Sequence, residues 1–154
     1  MVTKKDGRYA IKEAARLSGL PESTLRYYET IGLIDAIGRD PSSGHRVYSD
    51  DDINLVISVA CLNTTGMSIE DMRKYLENWD KGAAGAGEQI GLLETQKHRL
   101  ADEEHYLKLR RRYVDMKIAY WHAVVAGKKK EAEAIAKRAR EIAKGLKLPK
   151  EGRK

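Results

Sequence analysis

The sequence contains a single cysteine, Cys61, among its 154 residues. One cysteine cannot form an intrachain disulfide, and it cannot build a metal site from several thiolates. The longest apolar run, residues 55–62 broken by Ser58, is far shorter than the ~20 residues that a membrane-spanning helix needs. The sequence also begins without an apolar leader. These absences predict a cytoplasmic protein with no metal, no cofactor and no membrane partner.

Alternation of apolar and polar residues, the sign of strands, is scarce, and apolar residues recur at helical spacing through most of the chain. No nucleophile lies beside a base in the sequence. There is also no glycine-rich loop that would hold a phosphate before a helix, and no carboxylate pair in a cleft-like context. We therefore expect an all-α fold and no enzyme activity. The length suits one small domain with an extended element.

Positive charge is unevenly distributed, although the net charge is +6. Residues 128–154 hold 11 basic and 4 acidic side chains, whereas residues 1–127 hold 18 and 19. Within that longer part, residues 1–48 are weakly positive, and residues 49–80 hold seven acidic and two basic side chains. Binding to a nucleic acid would therefore depend on the placement of cations and not on bulk basicity.

Two short helices joined by a glycine-containing break are predicted near the start of the chain. The first covers Ile11 to Ser18, the break is Gly19-Leu20-Pro21, and the second runs from Glu22 to Gly32. This arrangement is typical of a helix-turn-helix, whose second helix reads the major groove of DNA. The second helix has an inward face of Leu25, Tyr28 and Gly32, and an outward face of Ser23, Arg26, Tyr27 and Thr30.

A turn-forming stretch, residues 41–44, follows this pair of helices between two short extended pieces, which favours a hairpin. Cations on its arms would contact the phosphates beside the groove. The residues in question are Arg39, His45, Arg46 and Tyr48. The sequence thus predicts a small β-hairpin wing, and an ordinary surface loop is the alternative.

Serines open two further predicted helices. Ser49 precedes three aspartates, residues 50–52, whose charges suit the positive end of a helix and need no metal to explain them. Ser68, with Asp71 three residues later, has the capping-box pattern. The apolar stripe of the third helix is Ile53, Val56, Ile57, Ala60 and Thr64. Together these four helices and the wing form a predicted DNA-binding domain over residues 8–80.

A heptad pattern follows a flexible or loosely helical joint at residues 82–87 and covers residues 88–126. The helix would be ~48 Å long over its five heptads, and it cannot bury its apolar stripe alone, so a second copy is expected to cover it in parallel or antiparallel pairing. We expect dimerisation through Ile90, Leu93, Leu100, Leu107, Val114, Ile118 and Trp121. A basic amphipathic helix is predicted over residues 128–148.

The order of these elements and a series of short motifs resemble the MerR family of bacterial transcription regulators, over residues 9 to about 122. The resemblance implies a winged helix-turn-helix with an antiparallel coiled-coil dimer, bound to a pseudo-palindrome in double-stranded promoter DNA. It also implies that the dimer distorts the promoter so that RNA polymerase reads both promoter elements. The motifs are Leu25-Arg26-Tyr27-Tyr28-Glu29, Gly32-Leu33-Ile34, Arg39, Arg46-Val47-Tyr48 and Thr65-Gly66-Met67-Ser68.

Applied to this sequence, the family pattern implies that Arg26 and Tyr27 contact bases or backbone from the second helix. Ser23 and Thr24 would contact base edges or phosphates near its start. Tyr28 suits either DNA contact or core packing. From the wing, phosphates would be held by Arg39, His45, Arg46 and Tyr48. Pro21 stands where the family has a serine or threonine cap, which predicts a start shifted by one residue. Such a regulator would be nucleoid-associated.

The effector is open among three alternatives. Residues 60–68 resemble the single-cysteine NmlR/AdhR branch of the family, which implies reversible thiol modification of Cys61 by reactive aldehydes or thiol stress. A small buried core residue is the other interpretation of this cysteine. A second alternative is a non-covalent ligand bound near the coil by Trp79, Tyr106 and Trp121. The third is a passive DNA-binding dimer that senses nothing.

Other effectors are not expected. Residues 119–129, where metal-sensing members carry cysteines, contain none. His98, Asp102 and His105 share one helix face, which we interpret as a solvated polar face. About thirty residues follow the coil in this sequence, too few for a drug-binding pocket of ~300 Å³ within one chain.

Overall fold

The computed structural model describes residues 7–146, which fold as helices joined by short loops. The chain divides into two compact units, one up to Gln96 and one from Lys97. Predicted helical residues 147 and 148 lie outside the described residues. The α-helices are α1 (Ile11–Ser18), α2 (Glu22–Thr30), α3 (Asp50–Thr64), α4 (Ile69–Trp79), α5 (Ala86–Val125) and α6 (Lys129–Lys144), with a 3₁₀ helix at Gly82–Gly85.

The first two helices form the predicted helix-turn-helix. Gly19 ends α1 in the left-handed region with φ of +74°, and its N–H donates to the Ala15 carbonyl. Only glycine adopts this conformation without strain, which fixes the direction of the break. Pro21 occupies the N-cap position, and α2 begins one residue later at Glu22.

Serine caps hold the starts of α3 and α4. The Asp52 N–H donates to Ser49 Oγ at 3.1 Å, and the Ser49 N–H donates back to Asp52 Oδ2 at 2.8 Å, which completes a capping box. At α4, the Asp71 N–H donates to Ser68 Oγ at 3.1 Å. The aspartates at the start of α3 therefore serve the helix, and within residues 7–146 no group of three acidic, histidine or cysteine side chains is placed to hold a metal ion.

The core of the first unit lies between α1, α2, α3 and the loop that follows α2. On α3 the buried stripe differs from the predicted one, because Val59 is buried while Ile57 is half-buried and Thr64 is exposed. The buried apolar residues are Ala14, Leu20, Leu25, Tyr28, Leu33, Ile34, Ile37, Tyr48, Ile53, Val56, Val59, Ala60, Met67 and Met72.

The predicted β-hairpin is wrong in its strands, since residues 38–48, here called the wing loop, contain only an isolated antiparallel bridge between Arg39 and Arg46. The Val47 N–H donates to the Gly38 carbonyl at 2.8 Å, and the Gly44 N–H donates to the Asp40 carbonyl at 2.8 Å. The turn takes up so many of these residues that each arm is too short for a strand ladder. The wing loop is therefore a closed loop and not a two-stranded ribbon.

The start of α5 is tied to the first unit. Gln89 Nε2 donates to the Tyr75 carbonyl at 2.8 Å, and Gln96 Nε2 donates to the Thr65 carbonyl at 2.5 Å. Gly85 lies so close to the Asn78 carbonyl that an added Cβ would overlap it. The joint predicted to be flexible or loosely helical is thus a packed 3₁₀ turn.

In the second unit, the chain reverses at Gly127, where φ is +71°, and α6 returns beside α5 until Gly145 contacts the Leu109 side chain. The buried residues between the two helices are Ala123, Ala132 and Ala139. A row of large apolar side chains on α5 stays exposed by 40% to 61%. This apolar row is Ile90, Leu93, Leu100, Leu107, Val114, Ile118 and Trp121. None of the helices within residues 7–146 is long and apolar enough to cross a membrane.

Candidate DNA interface

The outward face of α2 presents the side chains predicted to meet DNA. Ser23, Arg26 and Tyr27 are exposed, and Thr24 is half-buried. Arg26 Nη2 lies 3.0 Å from Glu22 Oε2, one helical turn away, so its guanidinium is held along the helix surface. Tyr27 leaves 51% of its surface open to solvent, which is unusual for a large aromatic ring in a small domain.

Cations from three elements surround a cavity of about 230 Å³ beside α2, here called the cationic pocket. It is lined by Ala10, Ile11, Lys12, Glu22, Arg26, Arg39, His45 and Arg46. Its wall includes the N-terminus of α1, where Ala10 gives no side-chain cap. Free N–H groups and the positive end of the helix dipole attract anions there. The pocket is therefore built for a phosphate or another oxyanion.

Glu29 connects α2 to the wing loop, and it had no predicted role. Arg46 Nε donates to Glu29 Oε2 at 2.5 Å, the Ile37 N–H donates to Oε1 at 3.3 Å, and Arg39 lies 3.9 Å from Oε1. Partial burial raises the pKa of Glu29, but the hydrogen bonds and charges of these partners outweigh it and leave the pKa below its usual value. No periodic pattern links positions 17 residues apart, so the sequence gives no signal of this contact.

The tip of the wing loop is organised by Asp40. Its Oδ1 accepts hydrogen bonds from the hydroxyls and the backbone N–H groups of Ser42 and Ser43, at 2.6 to 3.2 Å. Hydrogen bonds from Ser42 and then Ser43 hold the pKa of Asp40 well below its usual range. Arg8 Nη2 lies 3.2 Å from Oδ2. The tip thus keeps its shape through local hydrogen bonds.

Two tyrosines predicted at the interface are buried in the core. Tyr28 is 4% exposed and Tyr48 is fully buried, and burial raises the pKa of both. The Tyr48 backbone pairs with Tyr9 through two hydrogen bonds of 2.8 and 2.9 Å. In this conformation neither ring presents a surface to DNA, because each one packs beneath the residues that do.

Arg73 is a further residue without a predicted role. From α4 it donates to the Ile31 carbonyl at 2.7 Å and to the Gly32 carbonyl at 2.8 Å. These carbonyls lie just past the last turn of α2, which holds no basic residue of its own. Arg73 therefore supplies the cation that the negative end of the helix favours, and it fixes where α2 ends.

Cys61 is exposed on the outer side of α3 and forms no disulfide. Its neighbour Ala60 points into the core, and the Cys61 carbonyl accepts a hydrogen bond from Thr64 Oγ1 at 2.6 Å. The interpretation of Cys61 as a small buried core residue is thus wrong, since the buried stripe of α3 passes on the opposite side. The thiol is accessible to a reagent in solution.

The two tryptophans line separate grooves. Trp79 lines a groove between α3 and α4 in the first unit, together with Tyr75 and Leu76. Trp121 lines a groove of about 410 Å³ along α5 with Ile118 and other residues of the second unit.

Comparison with known proteins identifies the family. Residues 9–79 match the model described as the MerR HTH family regulatory protein. An uncharacterized HTH-type transcriptional regulator of Haemophilus influenzae is 31% identical over 122 residues, which are 77% of this chain and 87% of that protein. The chain belongs to the MerR family. It is a DNA-binding transcription regulator and not an enzyme, as the sequence predicts.

Two further relatives of this MerR family protein agree with the predicted branch. The regulator AdhR of Bacillus subtilis is 35% identical over 97 residues, which cover 63% of this chain and 64% of AdhR. The crystal structure of HiNmlR, a MerR family regulator lacking the sensor domain and bound to promoter DNA, superposes with a TM-score of 0.61 at 30% identity. The match covers 80% of this chain and 98% of HiNmlR.

Proposed function

We propose that this MerR family regulator binds a pseudo-palindrome in promoter DNA as an antiparallel homodimer and switches transcription in response to reactive aldehydes or thiol stress at Cys61. Each protomer places α2 in a major groove and the wing loop on the adjacent phosphates. The bound dimer distorts the promoter so that RNA polymerase can use it. The protein works beside the chromosome in the bacterial cytoplasm.

The observation that carries this proposal is the cationic pocket beside the exposed face of α2. Phosphate contacts orient a protein on DNA and base contacts give specificity, and this surface offers both kinds side by side. Lys12, Arg39, His45 and Arg46 suit phosphates, while Ser23, Arg26 and Tyr27 face the bases. HiNmlR, whose fold the chain shares, was crystallised on promoter DNA, which supports the assignment.

Dimerisation is supported by the apolar row on α5. Seven large side chains with 40% or more of their surface exposed are costly to leave in water, at ~25 cal/mol per Å² of apolar surface. They recur at the heptad spacing that a second helix covers. Two α2 helices on one dimer then match the two half-sites of a palindrome.

Sensing at Cys61 is supported by the exposure of its thiol. With an aldehyde, the sulfur of the thiolate bonds to the carbonyl carbon, the carbon–oxygen double bond opens, and the oxygen takes up a proton from water. The product is a hemithioacetal, which forms without an oxidant and reverts when the aldehyde is removed. An exposed site permits this reaction, whereas a buried one would exclude the reagent.

The proposal is tested by footprinting and transcription in vitro on the DNA upstream of the gene. Wild type should protect a palindrome and alter transcription when formaldehyde or methylglyoxal is added, whereas Cys61→Ser should protect the same palindrome without responding. A matched control, Asn63→Ser, changes an exposed position on the same helix and should respond as wild type does. A full response from Cys61→Ser would reject the thiol sensor in favour of a non-covalent ligand.

DNA distortion is tested separately by the spacing of the promoter elements. We expect an aldehyde-dependent rise in transcription on the natural promoter and none on a variant whose spacer is shortened to the standard length. An equal response from both promoters would rule out distortion as the mechanism.

A further inference from the structure

A groove between α3 and α4, here called the acidic groove, has an apolar floor and a rim of carboxylates. Its volume is about 260 Å³. The floor includes Leu55, Tyr75 and Trp79, and Trp79 leaves 62% of its surface exposed. The rim carries three carboxylates that form no ion pair among residues 7–146, namely Asp35, Asp51 and Asp80. The neighbouring Lys81 instead contacts Asn78 and Glu88.

Asp80 stands at an unfavourable place for its own helix. It is the C-cap of α4, whose last turn contains no basic residue. The negative end of a helix dipole repels a carboxylate and attracts a cation, and the effect is worth ~0.3–1 kcal/mol at an exposed site. The C-terminal end of α4 therefore favours a cation that the described part of this chain does not supply.

The opposite mismatch occurs at the start of α6. Lys128, Lys129 and Lys130 lie at its N-terminus, where positive charge is unfavourable, and Lys128 gives no side-chain cap. Lys128 pairs with Glu131 at 3.2 Å. Lys129 and Lys130 are exposed and form no ion pair among the described residues. These lysines therefore do not serve their own helix, and they suit an acidic partner surface.

The heptad register brings the two mismatches together between copies. When two apolar rows overlap fully in antiparallel order, Ile90 faces the second copy's Trp121 and Leu93 faces its Ile118. The same count brings residues 128–130 of the second copy level with residues 81–83, directly beside Asp80. The lysines and the acidic groove are thus neighbours in the dimer proposed above.

We propose that the acidic groove docks residues 128–130 of a second copy of this chain. This inference rests on the antiparallel dimer of the proposed function. The aliphatic stems of Lys129 and Lys130 pack on Tyr75 and Trp79, and their ammonium groups reach the carboxylates of the rim. The contact holds the end of each coil to the DNA-binding unit of the other protomer, so the tail helix is part of the dimer interface.

Disulfide trapping of the full-length protein tests this contact. In a Cys61→Ser background, one copy carries Asp80→Cys and a second, differently tagged copy carries Lys129→Cys, so that every disulfide is intermolecular. A control mixture carries Leu93→Cys and Ile118→Cys, which reports the antiparallel row itself. We expect a covalent heterodimer from both mixtures under mild oxidation. Crosslinking of the row without crosslinking of the groove would overturn the docking and leave the dimer intact.

Failure of both mixtures would overturn the antiparallel register and the docking with it. Binding of the oxidised and reduced mixtures to the palindrome then shows whether DNA binding survives this failure. If it does, the DNA assignment of the proposed function stands and its dimer geometry falls.

Charge exchange gives a second, independent measurement. The double substitution Lys129→Glu with Lys130→Glu should raise the dimer Kd about tenfold at 50 mM salt, and adding Asp80→Lys and Asp35→Lys should recover most of that loss. The control pair Lys137→Glu with Arg138→Glu reverses two charges farther along α6, and it should change the Kd by less than about threefold. An equal effect from both pairs, or no recovery, would overturn the proposal.

Discussion

The two units of the chain are stabilised in different ways. The first buries fourteen apolar residues in a common core that includes the large side chains of Leu25, Ile34 and Met72. In residues 97–146 the buried side chains are three alanines, while larger apolar residues of the same helix remain exposed. One unit thus has a core of its own, and the other has a surface that a second copy completes. The difference indicates that DNA recognition is folded in advance, whereas the second unit depends on assembly.

The largest expected effect comes from placing charge in the apolar row. Leu100→Glu with Leu107→Glu would bury carboxylates in the dimer, and an unpaired buried charge costs about 3–5 kcal/mol. We expect the dimer Kd to rise about a thousandfold, and binding to the palindrome to be lost with it, while the first unit stays folded. Sedimentation equilibrium and circular dichroism measure the two quantities.

The matched control is Asp102→Lys, which changes charge on the same helix away from the apolar row and should leave the dimer unchanged. If the double variant stays dimeric, the apolar row is not the interface. The contrast between the two units would then need another explanation.

The second prediction separates core from interface within α2. Leu25 is fully buried and Tyr27 is half-exposed two residues away. Leu25→Ala should lower the free energy of unfolding of the first unit by about 3 kcal/mol, because it leaves a cavity. Tyr27→Ala should leave that stability within about 0.5 kcal/mol and weaken DNA binding instead. Urea unfolding and mobility shifts on the same two proteins test both halves, and equal stability losses would refute the assignment of Tyr27.

A smaller effect is expected at Arg73. Arg73→Met removes two hydrogen bonds to the carbonyls that follow α2 and should cost about 1–2 kcal/mol of stability. Arg73→Lys keeps the charge at the helix end but loses the paired geometry, so it should lie between wild type and Arg73→Met. If the lysine and methionine variants are equally stable, the helix-end charge contributes nothing measurable.

The smallest expected effect is the acid sensitivity of the contact between Glu29 and the wing loop. The pKa of Glu29 is lower in the folded protein than its ordinary value of 4.5, so its stabilisation is complete above about pH 4.5 and is lost as pH falls through the folded pKa. Glu29→Gln should be less stable than wild type at pH 7 by about 1 kcal/mol, and the gap should close below pH 4. Other carboxylates titrate in both proteins, so the difference isolates Glu29. A gap that stays constant with pH would contradict this role.

Periodicity and capping rules were enough for the helical part of the fold. The helix-turn-helix follows from the apolar spacing and from the φ that Gly19 adopts, and α3 follows from the box of Ser49 and Asp52. Such signals lie within one turn of the residues they affect, which is why sequence reveals them. The apolar row likewise follows from heptad spacing along one helix.

Contacts between distant residues were not predictable from the sequence. Neither Glu29 with Arg46 nor Arg73 with Ile31 leaves a periodic trace, because each joins elements whose spacing depends on the fold. The hairpin prediction is wrong because it recognised the turn formers but not how many residues the turn at Asp40 would use. Cys61 was ambiguous because helical phase alone could not decide between the edge and the outside of α3.

The single carboxylate of Glu29 has a mechanical consequence for DNA. It binds Arg46 of the wing loop directly and lies near Arg39, so the groove-reading helix and the phosphate-holding loop cannot shift independently while the contact lasts. A promoter that does not fit this fixed spacing must change its own twist and groove width. The compliance of the complex then lies in the DNA, and the stiffness of each base step becomes part of what the protein selects.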